Sequence, residues 1–146
     1  MISELTAQLK RDEGEKKAAG RHVAYQDHLG YWTIGIGRLI DARRGGGLTD
    51  LEVEYLLSND IHRCSRHLSN KLPWFSGLDQ PRRAAMINMA FQLGVNGLLG
   101  FKKSLGLMAS GYYQAAADEF LQSNWAKQTP QRARRITDQI RTGEWG

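Results

Sequence analysis

The chain has 146 residues, of which 41% are hydrophobic and 24% charged, a size and composition typical of one globular domain and not of a disordered chain. Its formal net charge of +5 predicts attraction to an anionic polymer, and nucleic acid, a membrane surface and the bacterial wall all meet that condition. The single cysteine, Cys64, excludes an internal disulfide and a cysteine-based zinc site, as expected for a protein that matures in a reducing cytoplasm.

Metal, cofactor and membrane functions are not expected. The four histidines lack the H-E-x-x-H spacing of a zinc site, so we predict no metal and no cofactor. The N-terminus lacks the apolar run of a signal peptide, and no segment approaches the roughly 18 apolar residues of a membrane span. We therefore expect synthesis and retention in the cytoplasm without stable membrane association. The histidines are His22, His28, His62 and His67.

The first predicted element is a helix that ends at Gly14, because glycine readily adopts the left-handed angles that terminate helices. Glu13 then lies in its last turn. Between Gly14 and Gly47 glycines alternate with aromatic and β-branched residues, which predicts a small hairpin or a three-stranded sheet. The apolar stripe of the first helix comprises Ile2, Leu5 and Leu9.

A long helix should follow the sheet. Thr49 and Glu52 have the spacing of a capping box, and an apolar stripe continues from them to Pro73. Asp79 is placed to cap a further helix, which Gly94 should end. The stripe comprises Val53, Leu56, Leu57, Ile61, Cys64 and Leu68.

The remainder of the chain is predicted to be helical. Shorter helices are expected over 95–122, with breaks at Gly100 and Gly111. The threonine and proline at 129–130 are typical of a helix cap and first helical residue, and Gly143 should end that last helix.

These elements predict a single α+β domain. Residues 14–48 would form a small antiparallel sheet lobe and 49–72 a connecting helix. Residues 1–13 and 73–146 would form a helical lobe. A cleft between the sheet and the helical lobe would be the natural binding site.

Several carboxylates fall near the end of the first helix and the start of the sheet. Glycoside cleavage needs two such groups, one to protonate the leaving oxygen and one to activate water or stabilise the transition state. The helix dipole at a C-terminus, helped by partial desolvation, would favour a protonated Glu13. Acids at a helix end are also common without function. The carboxylates are Asp12, Glu13, Glu15 and Asp27.

The segment 33–37 suggests a close approach to the backbone. If it is one strand, alternation places Thr33 on the same side as Gly35 and Gly37, with both isoleucines facing the core. A sugar ring or a water could then approach the bare glycines. The alternative is a tight glycine-rich hairpin with a solvent-facing threonine.

Six segments, in order along nearly the whole chain, resemble the T-even phage lysozymes of glycoside hydrolase family 24. The resemblance therefore implies a lysozyme-like fold. The segments are RDEG at 11–14, YQD at 25–27, GYWTIGIG at 30–37, RRAAMINMAFQLG at 82–94, WAKQTPQRA at 125–133 and RTGEW at 141–145.

The resemblance implies a muramidase that cuts the β-1,4 bond between N-acetylmuramic acid and N-acetylglucosamine in peptidoglycan. Glu13 would be the general acid, Asp27 the carboxylate beneath the sugar, and Thr33 the residue that places water for inverting hydrolysis. A monomer released to the wall through a holin, for lysis of a phage host, is also implied. The residues implied to line the glycan cleft are Leu39, Phe91 and Ser104, although Phe91 could equally be core.

Three departures from the family pattern lead to further predictions. More residues separate Glu13 from Asp27 than is usual, and without an insertion the aspartate position would fall on His22. The extra residues 17–21 are expected to bulge as a basic loop near the cleft and to touch the glycan or its peptide stems.

At the second departure, Arg38 replaces a histidine, so we predict an Arg38–Asp60 ion pair between the sheet and the long helix. The third is Glu119, which stands where the relative has a neutral amide thought to face substrate.

Other functions remain open from the residues. A lytic transglycosylase needs only one acid, and a wall-binding protein on the same fold needs none. A nucleic-acid module could use the arginines of the last helix, but no aromatic platform or recognition motif accompanies them, so we predict no nucleic-acid partner. These arginines are Arg132, Arg134 and Arg135.

Overall fold

The computed structural model describes residues 2–41 and 45–146, without the side chains of Ile2 and Leu5. Helices and small antiparallel sheets make up the fold, so the predicted α+β class is confirmed. Its contacts divide into two compact units, Met1–Leu56 and Leu57–Gly146. The predicted arrangement as one domain with a sheet lobe and a helical lobe stays a prediction.

The first unit begins with helix α1, Ile2–Glu13. It ends as predicted, because Gly14 has a φ of +75° and its N–H donates to the carbonyl of Lys10 at 3.1 Å. Glu13 is therefore the last helical residue. Of the predicted apolar stripe, the side chains of Ile2 and Leu5 lie outside the described residues, and Leu9 is exposed.

Residues 17–22 form a β-hairpin and not the predicted bulging loop. Ala19 and Gly20 both have positive φ angles, of 51° and 76°. A two-residue turn with this geometry matches the twist of antiparallel strands, which explains why the segment pairs. The hairpin consists of β1 (Lys17–Ala18) and β2 (Arg21–His22).

A three-stranded antiparallel sheet follows, which confirms the predicted sheet. Its middle strand ends at Ile34, and Gly35 and Gly37 reverse the chain with φ angles of +66° and +72°. The interpretation of 33–37 as one alternating strand is therefore wrong. Thr33 is only 3% exposed, so the alternative of a solvent-facing threonine is wrong as well. The strands, in order, are β3 (Tyr25–Gln26), β4 (Trp32–Ile34) and β5 (Arg38–Leu39).

Helix α2, Asp50–Lys71, begins with the predicted capping box. The N–H of Thr49 donates to Glu52 Oε1 at 3.0 Å, and the N–H of Glu52 donates to Thr49 Oγ1 at 3.3 Å. Along the predicted stripe, Leu68 is fully buried and Cys64 half-buried, whereas the stripe residues before them are exposed.

The predicted Arg38–Asp60 ion pair is wrong. Arg38 pairs with Glu52, and Asp60 pairs with Arg63 at 2.6 Å. Glu52 lies in the first turn of α2. Ile34 of β4 and Ile36 of the turn after it line a cavity together with Leu51 and Leu56 from that part of the helix. Arg38 therefore meets a carboxylate two turns earlier than the sequence comparison implied.

We expect the Glu52 carboxylate to make stability depend on acid pH. Its hydrogen bond from Arg38, followed by those from Thr49, lowers its pKa from the ordinary 4.5 to about 2. A depressed pKa contributes stability above pH 4.5, and this contribution disappears as the pH falls towards 2. In thermal unfolding curves, Glu52→Gln should therefore be less stable than wild type at pH 6, and the difference should shrink by pH 2.

The same substitution at exposed Glu54 is the control for this prediction. It should shift the melting temperature little at either pH, because surface charges contribute little. A Glu52→Gln deficit that stays constant between pH 6 and pH 2 would contradict the assignment.

The second unit is helical after residue 73, with breaks at Gly100 and Gly111 and a left-handed Gly143 as predicted. Asp79 caps its helix by accepting from the N–H of Arg82 at 3.0 Å. The elements are a short 3₁₀ helix (Phe75–Gly77), α3 (Gln80–Leu93), α4 (Val95–Leu99), α5 (Lys102–Ala109), α6 (Tyr113–Leu121), α7 (Asn124–Gln128) and α8 (Pro130–Thr142).

The threonine expected to cap α8 acts differently. Thr129 occupies the N-cap position of α8, but its hydroxyl donates back to the carbonyl of Trp125 at 3.0 Å. This hydroxyl therefore closes the end of α7. Trp125 in turn donates its indole N–H to Gln92 Oε1 at 2.9 Å, which joins α7 to α3.

Arg82 connects the start of α3 to the end of α8. Its guanidinium donates to the carbonyls of Ile140 and Arg141, at 2.6 and 3.2 Å, and to the Asp79 carboxylate at 2.9 Å. The same group lies 3.8 Å from the centre of the Tyr113 ring. One side chain thus satisfies carbonyls that the end of a helix leaves without intrahelical partners.

Candidate active site

A cavity of about 380 Å³ in the first unit brings Glu13, Asp27 and Thr33 together. The end of α1 supplies Glu13, the residue that follows β3 is Asp27, and β4 supplies Thr33. The full lining is Asp12, Glu13, Tyr25, Gln26, Asp27, His28, Thr33, Gly37 and Leu39.

Glu13 lies directly against the turn that follows β4. A Cβ built on Gly37 would be 3.0 Å from Glu13 Oε2, and Gly37 also has a φ of +72°. Only glycine meets both conditions without strain. Glu13 is exposed, so the partial desolvation invoked from the sequence is not found in the chain by itself.

Asp27 is held by the turn between β3 and β4. Its Oδ1 accepts the N–H groups of Leu29 and Tyr31, both at 2.9 Å, and its own N–H donates to the carbonyl of Tyr31 at 2.8 Å. Asp27 lines the same cavity as Glu13, whereas His22 lines a different one. The carboxylate is thus fixed in orientation beside the end of α1.

Thr33 occupies the centre of the sheet, in register with Tyr25 on one side and Leu39 on the other. Its hydroxyl donates to the carbonyl of Tyr31 at 3.2 Å. Because that bond uses the hydroxyl proton, the oxygen is left as an acceptor for a water that enters the cavity.

We expect Gly37→Ala to reduce activity through the position of Glu13. The added methyl group would press on the Glu13 carboxylate, and a misplacement of about 1 Å can lower a rate about a hundredfold. The turnover number on peptidoglycan, the substrate that the family resemblance implies, should therefore fall at least about tenfold.

Gly35→Ala is a matched control, because Gly35 has a similar φ of +66° but no atom within 4 Å of its built Cβ. Both variants should lose about 1 kcal/mol of stability from the backbone angle. Equal activities of the two variants would show that the contact with Glu13 does not matter.

The residues implied to line the glycan cleft are divided between the two units. Leu39 lines the cavity with Glu13. Phe91 and Ser104 belong to the second unit, where Phe91 is 44% exposed and Ser104 is 2% exposed. Phe91 is therefore not a core residue, and Ser104 is buried in α5. The glycan contacts of all three stay predictions.

Glu119, the third departure from the family pattern, forms an ion pair with Lys103 at 3.3 Å. Lys103 therefore offsets the negative charge of Glu119, which stands where the family pattern has a neutral amide. Among the cations of α8, Arg132 donates to the side chain and carbonyl of Asn88, and Arg134 and Arg135 are exposed.

The cavity also contains residues that the sequence did not single out. Gln26 and His28 line it on either side of Asp27. The one feature of the sequence that could have identified them is that both are next to Asp27, a candidate carboxylate at the end of a predicted strand. In the described ranges 2–41 and 45–146 no group of three or more histidine, cysteine or acidic residues could hold a metal, and no helix is long and apolar enough to span a membrane.

Comparison with known proteins identifies one family over most of the chain. The family described as phage lysozyme matches residues 15–139, a range that begins just after Glu13. The chain is 34% identical over 169 residues to probable T4-type lysozyme 1 of Dictyostelium discoideum, with 98% of this chain and 96% of the relative covered. Probable T4-type lysozyme 2 of the same organism is 31% identical with the same coverage.

A third relative is much longer than this chain. The pre-baseplate central spike protein Gp5 of Enterobacteria phage T4 is 31% identical over 160 residues, which cover 92% of this chain and 27% of that protein.

Proposed function

Because this chain belongs to the phage lysozyme family, we propose that it cleaves the β-1,4 bond between N-acetylmuramic acid and N-acetylglucosamine with Glu13 as general acid. Family membership makes the chain a lysozyme, a hydrolase that degrades peptidoglycan. The shared cavity of Glu13, Asp27 and Thr33 is the observation that supports the finer assignment.

In the proposed reaction Glu13 donates its proton to the leaving glycosidic oxygen. Asp27 lies beneath the sugar and stabilises the positive charge that develops at the anomeric carbon. The Thr33 hydroxyl oxygen accepts a hydrogen bond from the attacking water and so orients it. Attack by water on the face opposite the leaving group inverts the anomeric configuration, and the proton that the water loses passes to the Asp27 carboxylate.

Leu39, Phe91 and Ser104 are proposed to line the glycan cleft.

The proposed biological setting follows the family resemblance. The protein would be a monomer that is synthesised in the cytoplasm, reaches the wall through a holin and lyses the bacterial host of a phage. The net charge of +5 favours association with an anionic wall.

A lytic transglycosylase is the competing activity. It would need the acid but neither a second carboxylate nor a bound water. The presence of Asp27 and Thr33 in the cavity with Glu13 favours hydrolysis. A wall-binding protein without catalysis would use none of the three groups.

The decisive experiment identifies the ends of the fragments released from purified peptidoglycan. Wild type should release new reducing ends, and Glu13→Gln should release none. Initial α-anomers in the NMR spectrum of the product would support inversion. Anhydro ends would contradict hydrolysis and identify the protein as a lytic transglycosylase. If wild type releases no fragments, the protein binds the wall without cleaving it.

The β1–β2 hairpin is proposed to contact the glycan or its peptide stems. All of residues 17–22 are exposed, and Lys17 and Arg21 give the hairpin a basic surface. Deleting residues 17–21 should lower activity on intact walls about threefold at low salt, because electrostatic attraction to the polymer is lost. Activity on soluble oligosaccharides should change little.

Lys17→Gln combined with Arg21→Gln is the matched control, because it keeps the hairpin and removes only its charge. If the deletion leaves wall activity unchanged, the hairpin does not contact substrate.

A further inference from the structure

An open surface cavity of about 490 Å³ in the second unit is formed at the start of α6 and lined on one side by Arg141 of α8. It shares no residue with the proposed catalytic or cleft residues. Its lining combines aromatic rings with an amide, a carboxylate and an arginine: Gly111, Tyr112, Tyr113, Gln114, Ala115, Asp118 and Arg141.

Tyr112 gives this cavity an exposed aromatic surface. The side chain is 64% exposed, and its backbone is held by the turn before α6, where its N–H donates to the carbonyl of Leu107 at 2.9 Å. Tyr113 beside it is half-buried, with its ring against Arg82 at 3.8 Å. A rigid ring at a cavity edge offers a flat apolar surface at low entropic cost.

The charges around the cavity disfavour an anionic ligand. Arg141 is held between the carboxylates of Asp118, at 2.9 Å, and Asp138, at 2.8 Å. The two carboxylates more than neutralise the charge of Arg141. Arg141 therefore offers no free positive charge to bind a phosphate or a nucleic acid.

Polar groups suited to a neutral ligand remain at the same edge. Gln114 donates from Nε2 to Asp118 Oδ1 at the long distance of 3.5 Å. An amide and a carboxylate beside an apolar ring can hydrogen-bond the hydroxyl and acetamido groups of an amino sugar, while the ring covers its apolar face.

We infer that this cavity is a second saccharide-binding site, which holds an N-acetylglucosamine unit against Tyr112. Gln114 and Asp118 hydrogen-bond the polar edge of the sugar. The identity of the saccharide rests on the proposed function, because the site would hold one part of a glycan strand while the catalytic cavity cleaves another.

The test is an NMR titration of ¹⁵N-labelled Glu13→Gln protein with chitotriose, a soluble trimer of N-acetylglucosamine. Amide shifts should change at Tyr112, Tyr113 and Gln114. Tyr112→Ala should weaken binding at this site about fivefold, the effect of losing one aromatic contact. Tyr112→Phe should retain it, because the ring is kept.

Tyr55→Ala is the matched control, because Tyr55 is 70% exposed on α2 and lies outside this cavity. It should bind like the parent. The inference is overturned if the shifts are confined to the first unit, or if Tyr112→Ala binds as tightly as Tyr55→Ala. If the amide of Tyr112 shifts but wild type releases no fragments from peptidoglycan, the proposed hydrolysis is contradicted. The second saccharide-binding site would still be supported.

Discussion

Glu13→Gln is expected to lower turnover on purified peptidoglycan by at least about a thousandfold, within the range that one general acid contributes. Glutamine keeps the size of the side chain but cannot donate a proton to the leaving oxygen. Since Glu13 is exposed at the end of α1, folding should be unaffected. The loss should be measured as the rate of release of reducing ends, with circular dichroism as the test of folding.

Glu15→Gln is the control for this result. Glu15 lies two residues later and faces Lys17 at 3.9 Å and His22 at 3.7 Å, and it does not line the catalytic cavity. Its activity should stay within about twofold of wild type, since exposed ion pairs contribute little. Comparable losses in the two variants would mean that general negative charge, and not a specific acid, is required.

Arg82→Met should be the most destabilising single change considered. It keeps the length of the side chain and removes the donors to two carbonyls of α8 and to Asp79. Arg82 is only 15% exposed, so water would replace these bonds poorly. We expect a loss of about 3 kcal/mol in the free energy of unfolding, measured by urea denaturation.

Arg63→Met separates this effect from the loss of a positive charge. Arg63 forms a pair with Asp60 in which the side chains are 58% and 44% exposed, so its loss should cost less than about 1 kcal/mol. Arg82→Lys should recover only part of the stability, because an ammonium group lacks the planar fork that reaches both carbonyls. Equal costs at positions 63 and 82 would show that the contacts of Arg82 do not stabilise the fold.

Helix limits were predictable because their signals are local. The capping box at Thr49 and Glu52, the cap at Asp79 and the terminal glycines at 94 and 143 all act within one or two turns of the chain. Such bonds form wherever the local backbone forms, whatever the rest of the protein does. The sequence therefore predicts the helical part of the fold almost completely.

Contacts that involve a choice between partners were not predictable. Arg38 meets Glu52 and not Asp60, and the hydroxyl of Thr129 turns back to α7 and does not cap α8. For Arg38 two carboxylates of α2 compete, and tertiary geometry decides between them. The Thr129 hydroxyl can bond either the helix before it or the helix after it, and the backbone geometry at their junction decides. The hairpin at 17–22 was missed for a different reason, since Ala19 in a left-handed conformation has no sequence signal.

The candidate site was partly predictable. Glu13 and Asp27 were among four acids near the end of the first helix, and Thr33 stood in the glycine-rich segment. The roles assigned to all three followed from the family resemblance. The closeness of Gly37 to Glu13 depends on how the turn after β4 packs, which no spacing rule describes. Gln26 and His28 could be identified only from the structure, which shows that both line the cavity.

The hydrogen bonds of Asp27 determine how its contribution can be measured. Because Oδ1 accepts two backbone N–H groups, removing the side chain disturbs the β3–β4 turn at the same time as it removes the charge. Asparagine retains a carbonyl oxygen for these donors and is neutral. The activity lost in Asp27→Asn therefore measures what the negative charge contributes. The further loss in Asp27→Ala measures how much the hydrogen bonds of the carboxylate support the turn.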